Sequence, residues 1–146
     1  MYPHIKKRLH RELDGYAPIF SEDYLHVSFV YSNKQISVLL NEHYPFQCPI
    51  VISNNKYISY RNNNIPNRLL SEYVQKEGCP CCSSITCPDN WSPALRIMHI
   101  LREYDLFVDK LKMYNRIRIT KHLKLPDDIV YMIIRFLDKP TNEQIT

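Results

Sequence analysis

Cys79-Pro80-Cys81-Cys82-Ser83-Ser84-Ile85-Thr86-Cys87-Pro88-Asp89-Asn90-Trp91-Ser92-Pro93-Ala94-Leu95-Arg96-Ile97-Met98-His99-Ile100 holds four of the chain's five cysteines and its one tryptophan. A thiol cluster running into a tryptophan and a helix start has three readings. It is a nucleophile in a groove, a metal site, or packing alone. The Ser92-Pro93-Ala94 step reads as a helix opening, with Ser92 as cap and Pro93 at the first helical position. Ala94, Ile97, Met98, Leu101, Tyr104, Val108 and Leu111 then keep a 3.6-residue period, widened by Ile100, Phe107 and Tyr114. So broad an apolar face predicts a long helix, about 94–114, buried against a sheet.

The sheet lies upstream. Leu25, Val27, Phe29 and Tyr31 alternate with His26, Ser28 and Val30, which predicts a half-buried strand. Ser32-Asn33-Lys34 reads as a tight turn. Ile36, Val38 and Leu40 continue the alternation, so the two strands form an antiparallel hairpin. Pro45 and Pro49 interrupt the ladder, because proline cannot donate to it. Ile50 to Ser53 is a third strand. Residues 54–78 read as irregular, with a short helix after Pro66. At the N-terminus Ile5, Leu9 and Leu13 make one helical stripe that Gly15 ends. The expected fold is therefore α+β: an antiparallel meander of three or four strands, an N-terminal helix, a long central helix on the sheet, and a C-terminal helix.

Composition bounds the rest. At 146 residues, 45% hydrophobic and 23% charged, the chain suits a single globular core. No apolar run approaches the roughly 20 residues of a membrane span. The basic N-terminus lacks an apolar stretch after it, so it does not read as a signal peptide. The expected location is intracellular: the cytoplasm, or the host cytoplasm or virion if the chain is viral. Thiols stay reduced there, and an odd cysteine count argues against a pure disulfide framework. Net charge is +4, modest for a nucleic-acid binder, so nucleic acid is not the expected partner. The basic excess is local: residues 110–124 carry Lys and Arg but no acid. A solvated helix face is the plain reading of that stretch. No Gly-rich phosphate cradle exists, and no cofactor is implied.

Taken in order, a helix, an antiparallel meander, Tyr44-Pro45-Phe46-Gln47-Cys48-Pro49, a loop, a cysteine, Trp91-Ser92-Pro93-Ala94 and a helix resemble the core domain of ubiquitin-conjugating enzymes. The resemblance covers roughly residues 3–112. Lys7-Arg8-Leu9-His10-Arg11-Glu12-Leu13 is similar to the family's first helix. The family commonly carries its catalytic cysteine eight or nine residues before Trp-x-Pro-Ala, and nine residues before Trp91 is Cys82. The resemblance thus implies that Cys82 accepts ubiquitin, or a ubiquitin-like protein, as a thioester. The partners implied are ubiquitin, an activating enzyme and a ligase. Lys6, Lys7 and Arg11 would face the activating enzyme; Phe46, Pro93 and Ala94 would form the ligase surface.

The chain departs from the family in four places, one of them a shorter hairpin before Tyr44. The family's His-Pro-Asn, whose Asn stabilises the oxyanion, is reduced to Tyr60-Arg61-Asn62, with Ile65-Pro66-Asn67 as a second candidate. Asn62 is the expected oxyanion residue. An insertion separates either Asn from Cys82. The family's last helices are not recognisable after Tyr114, so the expected division is a core over 1–114 and a basic linker with an amphipathic helix over 115–146. Leu125-Pro126 followed by an apolar helix is weakly similar to the start of an F-box.

Two other readings stand beside the transferase. One is a catalytically inactive module of the same fold, used for binding or as a scaffold. The other is a small zinc-stabilised structural protein. Cys79-x-x-Cys82 has ligand spacing, and Cys87 follows; Cys79, Cys82 and Cys87 would be the metal ligands, with Cys81, Cys48 or His43 completing the set. A second paired knuckle is missing, so the expectation is no resident metal.

Overall fold

The computed structural model describes residues 2–60 and 65–137. It shows an α+β chain whose five strands form one antiparallel sheet in sequential order. Helix α1 (Pro3–Glu12) precedes β1 (Ile19–Phe20), β2 (His26–Tyr31), β3 (Lys34–Leu39), β4 (Ile50–Ser53) and β5 (Lys56–Tyr57). Helices α2 (Asn67–Glu77), α3 (Pro80–Ser83), α4 (Ile97–His122) and α5 (Asp127–Leu137) follow.

The expected β2–β3 hairpin is present, in the register Val27 to Val38 and Phe29 to Ile36. Its two-residue turn places both Ser32 and Asn33 at positive φ, 48° and 61°. Such turns match the right-handed twist of the strands. A second turn of the same kind was not expected. Asn54 and Asn55, at φ 48° and 64°, fold β5 back on β4. Asparagine tolerates this conformation best among non-glycine residues. Asn54 is also held from β3: its Oδ1 accepts from the Gln35 N–H at 3.0 Å, and its N–H donates to the Gln35 carbonyl at 2.9 Å. The sheet therefore has five strands against the three or four expected, and the two short edge strands, β1 and β5, are the reason.

Val27, Phe29, Ile36, Val38, Leu40 and Val51 form the buried sheet face. They share one core with Ile5 and Leu9 of α1, Leu13 just beyond it, and Ile97, Met98, Ile100 and Leu101 of α4. In β4 the inward residue is Val51, and Ile52 is only half-buried. Trp91 packs against this core without being fully enclosed.

The long helix differs from expectation in three ways. It begins at Ile97, because residues 92–95 form a separate turn. There the Ala94 N–H donates to Ser92 Oγ and the Leu95 N–H to the Ser92 carbonyl. Arg96 caps the helix instead, its N–H donating to His99 Nδ1 at 2.9 Å. Only the first turns of α4 meet the sheet core. Farther on, Phe107, Leu111 and Tyr114 pack with Tyr60, Leu69 and Tyr73 into a second core against α2. The helix then runs unbroken through residue 114, so residues 115–122 are helical rather than a linker. Among the described residues, no helix is long and apolar enough to cross a membrane.

Candidate active site: a thiol cluster beside the Trp91 turn

Gly78, at φ +87°, ends α2 and turns the chain into the cysteine stretch. A left-handed conformation there suits glycine. Cys79 precedes α3, and Pro80 occupies its first position, where the missing N–H costs nothing. Ser83 Oγ donates to the Cys79 carbonyl at 2.9 Å and closes the turn. This single tight turn gathers three thiols. The Cys79 and Cys81 sulfurs are 3.0 Å apart, Cys81 and Cys82 3.9 Å, and all three lie within 4.8 Å of one another. Cys79 and Cys82 are exposed and Cys81 is half-buried.

The loop after the cluster is anchored at two points. Glu103 of α4 accepts from Ser84 Oγ at 2.5 Å, from the Ile85 N–H at 2.9 Å and from the Tyr60 hydroxyl at 2.5 Å. The Asn90 amide donates to the carbonyls of Cys82, at 2.9 Å, and Ser84, at 3.0 Å. Next to Asn90, the Trp91 indole N–H donates to the Pro45 carbonyl at 2.8 Å. That bond ties the Tyr44-Pro45-Phe46 turn to the Trp91-Ser92-Pro93-Ala94 turn. Phe46 is 75% exposed on the first turn, and Pro93 and Ala94 are exposed on the second.

The thiols are not equivalent. Cys79 is lowered to about 7, first by the hydrogen bond from Cys81 and then by the Cys82 N–H. Cys82 is raised to about 11, first by its hydrogen bond with Cys79 and then by that with Cys81. Sulfurs this close share one ionisation, since a second thiolate would sit against the first. Within the group the hydrogen bonds favour the charged form at Cys79 over Cys82. Cys48 stands apart: burial raises it to about 11, and its sulfur contacts the Pro49 carbonyl at 3.4 Å. Cys87 is half-buried and lies outside the close sulfur group, which takes Cys81 in place of the expected Cys87.

Lys6, Lys7 and Arg11 are exposed on α1. Lys6 Nζ lies 5.2 Å from the Tyr24 ring centroid. Asn62 falls outside the described residues; Asn67 opens α2 and is exposed. Two residues that organise the site, Asn90 and Glu103, were missed from sequence. Asn90 adjoins Trp91, but nothing in a lone Asp-Asn step marks a clamp. Glu103 lies within a helix pattern and reads there as a solvated carboxylate.

Searches against protein-family models, curated proteins and solved structures found no match to this chain.

Proposed function

We propose that this is a ubiquitin-conjugating-type protein that accepts ubiquitin, or a ubiquitin-like protein, as a thioester on Cys82. The observation that carries the reading is the Trp91–Pro45 hydrogen bond at 2.8 Å. It joins the two motifs behind the family resemblance across 46 residues of sequence, beside an exposed thiol loop. The five-stranded meander between an N-terminal helix and the later helices is compatible with the same reading.

The chemistry is thiol exchange. Cys82 Sγ attacks the thioester carbonyl of the ubiquitin held by an activating enzyme. A new sulfur–carbon bond forms, and the enzyme's own sulfur leaves as thiolate. The Cys82 proton passes to solvent, to which the residue is open. Discharge repeats the exchange with a lysine amine or a ligase thiol as nucleophile. The Asn90 clamp on the Cys82 and Ser84 carbonyls holds the acceptor turn in place.

The test is charging of the reduced, metal-free chain with ubiquitin, ATP and an activating enzyme. A reductant-sensitive adduct is expected, lost or converted to a reductant-resistant ester in Cys82→Ser. An adduct that follows Cys79 or Cys81 instead would move the acceptor within the cluster. No adduct with any activating enzyme would remove the transferase reading and leave a binding module.

A further inference from the structure

The sequence spacing argues against a metal because a second paired knuckle is missing, and it takes Cys87 as the third ligand. The fold supplies Cys81 instead. Three sulfurs converge at the surface within 4.8 Å of one another, on a turn held by the Ser83–Cys79 bond and by the Asn90 clamp on the Cys82 carbonyl. At a zinc–sulfur distance of about 2.3 Å, tetrahedral ligand sulfurs are about 3.8 Å apart. The Cys81–Cys82 separation of 3.9 Å already has that spacing. The Cys79–Cys81 separation of 3.0 Å needs to open, which a rotation of the exposed Cys79 side chain provides. Among the described residues no fourth His, Cys, Asp or Glu joins the three. A bound ion would keep one coordination position open, or be three-coordinate.

The geometry points to a thiophilic-cation site formed by Cys79, Cys81 and Cys82. Soft thiolate donors select zinc or cuprous copper over hard oxygen-seeking ions. Binding replaces sulfur–proton bonds by sulfur–metal bonds and releases the displaced protons to solvent. It also removes the Cys82 sulfur from thioester exchange, so the cation gates the acceptor. That gating rests on the function proposed above; the metal site does not.

The experiment uses the full chain, reduced, stripped with chelator and kept anaerobic. Cobaltous ion is titrated alone, read by its thiolate-to-metal absorption band, and then displaced with zinc. Cuprous ion is titrated in a separate arm against a cuprous-specific chromophoric chelator. One equivalent per chain is expected in at least one arm. Cys79→Ser, Cys81→Ser and Cys82→Ser should each weaken binding by more than the roughly 10- to 100-fold typical of losing an outer-shell partner. Cys48→Ser and Cys87→Ser should bind as the parent does. Far-ultraviolet circular dichroism establishes that each variant is folded. No binding in either arm, binding that survives Cys81→Ser, binding lost in Cys87→Ser, or disulfide formation in place of uptake would overturn the site. Charging is measured separately on the stripped chain, with and without one equivalent of the ion. A chain that binds the ion but never charges keeps the site and loses the transferase. One that charges but binds no ion does the reverse. Charging unaffected by bound ion would overturn the gate.

Discussion

The Tyr44 hydroxyl donates to both carboxylate oxygens of Glu12, at 2.7 and 2.8 Å, although the residues are 32 apart in sequence. Glu12 is buried at the end of α1. Arg8 Nε meets its Oε1 at 2.5 Å, and the Ile97 N–H reaches its Oε2 at 3.3 Å. Arg8 in turn donates to the Leu95 carbonyl at 2.7 Å. One carboxylate thus joins α1, the Tyr44 turn and the start of α4. An acid at that helix end also suits its dipole.

Stability should follow from that network. Glu12→Ala leaves a hydroxyl, a guanidinium and a helix N–H without their shared acceptor. We expect a loss of about 3–5 kcal/mol, typical of removing one member of a buried charged pair. Tyr44→Phe removes one donor and leaves Glu12 its other partners, so about 1 kcal/mol is expected. Urea unfolding of both variants checks the order. Equal losses would mean that Glu12 acts only through Tyr44.

The two cores should also be separable along α4. Leu101 is 3% exposed and faces the sheet, and Leu101→Ala should cost about 2–5 kcal/mol. Leu106, on the same helix but 65% exposed, should change stability by about 0.5 kcal/mol or less on truncation. Thermal melts of the two variants decide it. A Leu101→Ala loss no larger than that of Leu106→Ala would place the helix face elsewhere.

The thiols should show their shared ionisation in alkylation rates. The Cys79 pKa is lowered to about 7, so its thiolate is present above that pH and disappears below it. Iodoacetamide should therefore label Cys79 first near neutrality in the metal-free chain, and labelling should fade toward pH 6. Cys82, raised to about 11, should stay slow until strongly alkaline pH. Cys79 is itself a cause of that elevation, so Cys79→Ser should speed Cys82 labelling at neutral pH. Peptide mapping by mass spectrometry reads both. Unchanged Cys82 labelling in Cys79→Ser would show that the sulfurs do not share a proton.

What the sequence disclosed follows from periodicity. The alternation through Val27, Phe29, Ile36 and Val38 and the stripe through Ile97 and Leu101 record burial directly, and both lie in the core. Features built from single contacts left no such trace. The Asn54-Asn55 turn reads as polar loop until Gln35 is known to pair with it. The Ser92-Pro93 step carries the usual signs of a helix opening, yet the cap is Arg96, whose N–H donates to His99 Nδ1. The expected α4 face is real, but it serves two partners, since α2 closes over Phe107 and Leu111. In the cysteine stretch, linear spacing favoured Cys79, Cys82 and Cys87. Only the α3 turn brings Cys81 into the group.

The last prediction concerns Phe46, which is 75% exposed although Tyr44, two residues before it, is buried. The Trp91–Pro45 bond fixes the backbone that carries it, so exposure here is not a loose loop end. An aromatic held outward on a fixed turn is suited to anchor a partner. Under the proposed function that partner is a ligase. Phe46→Ala should leave stability within about 0.5 kcal/mol of the parent, because little of the ring is buried. Charging of Cys82 should also be unchanged. Ligase-stimulated discharge should fall at least several-fold, and binding to the ligase should weaken in parallel. Discharge to free lysine without ligase is the control and should not move. If the variant lowers charging and unassisted discharge equally, Phe46 supports the turn rather than a partner. Intact ligase-stimulated discharge would place the ligase contact on another face.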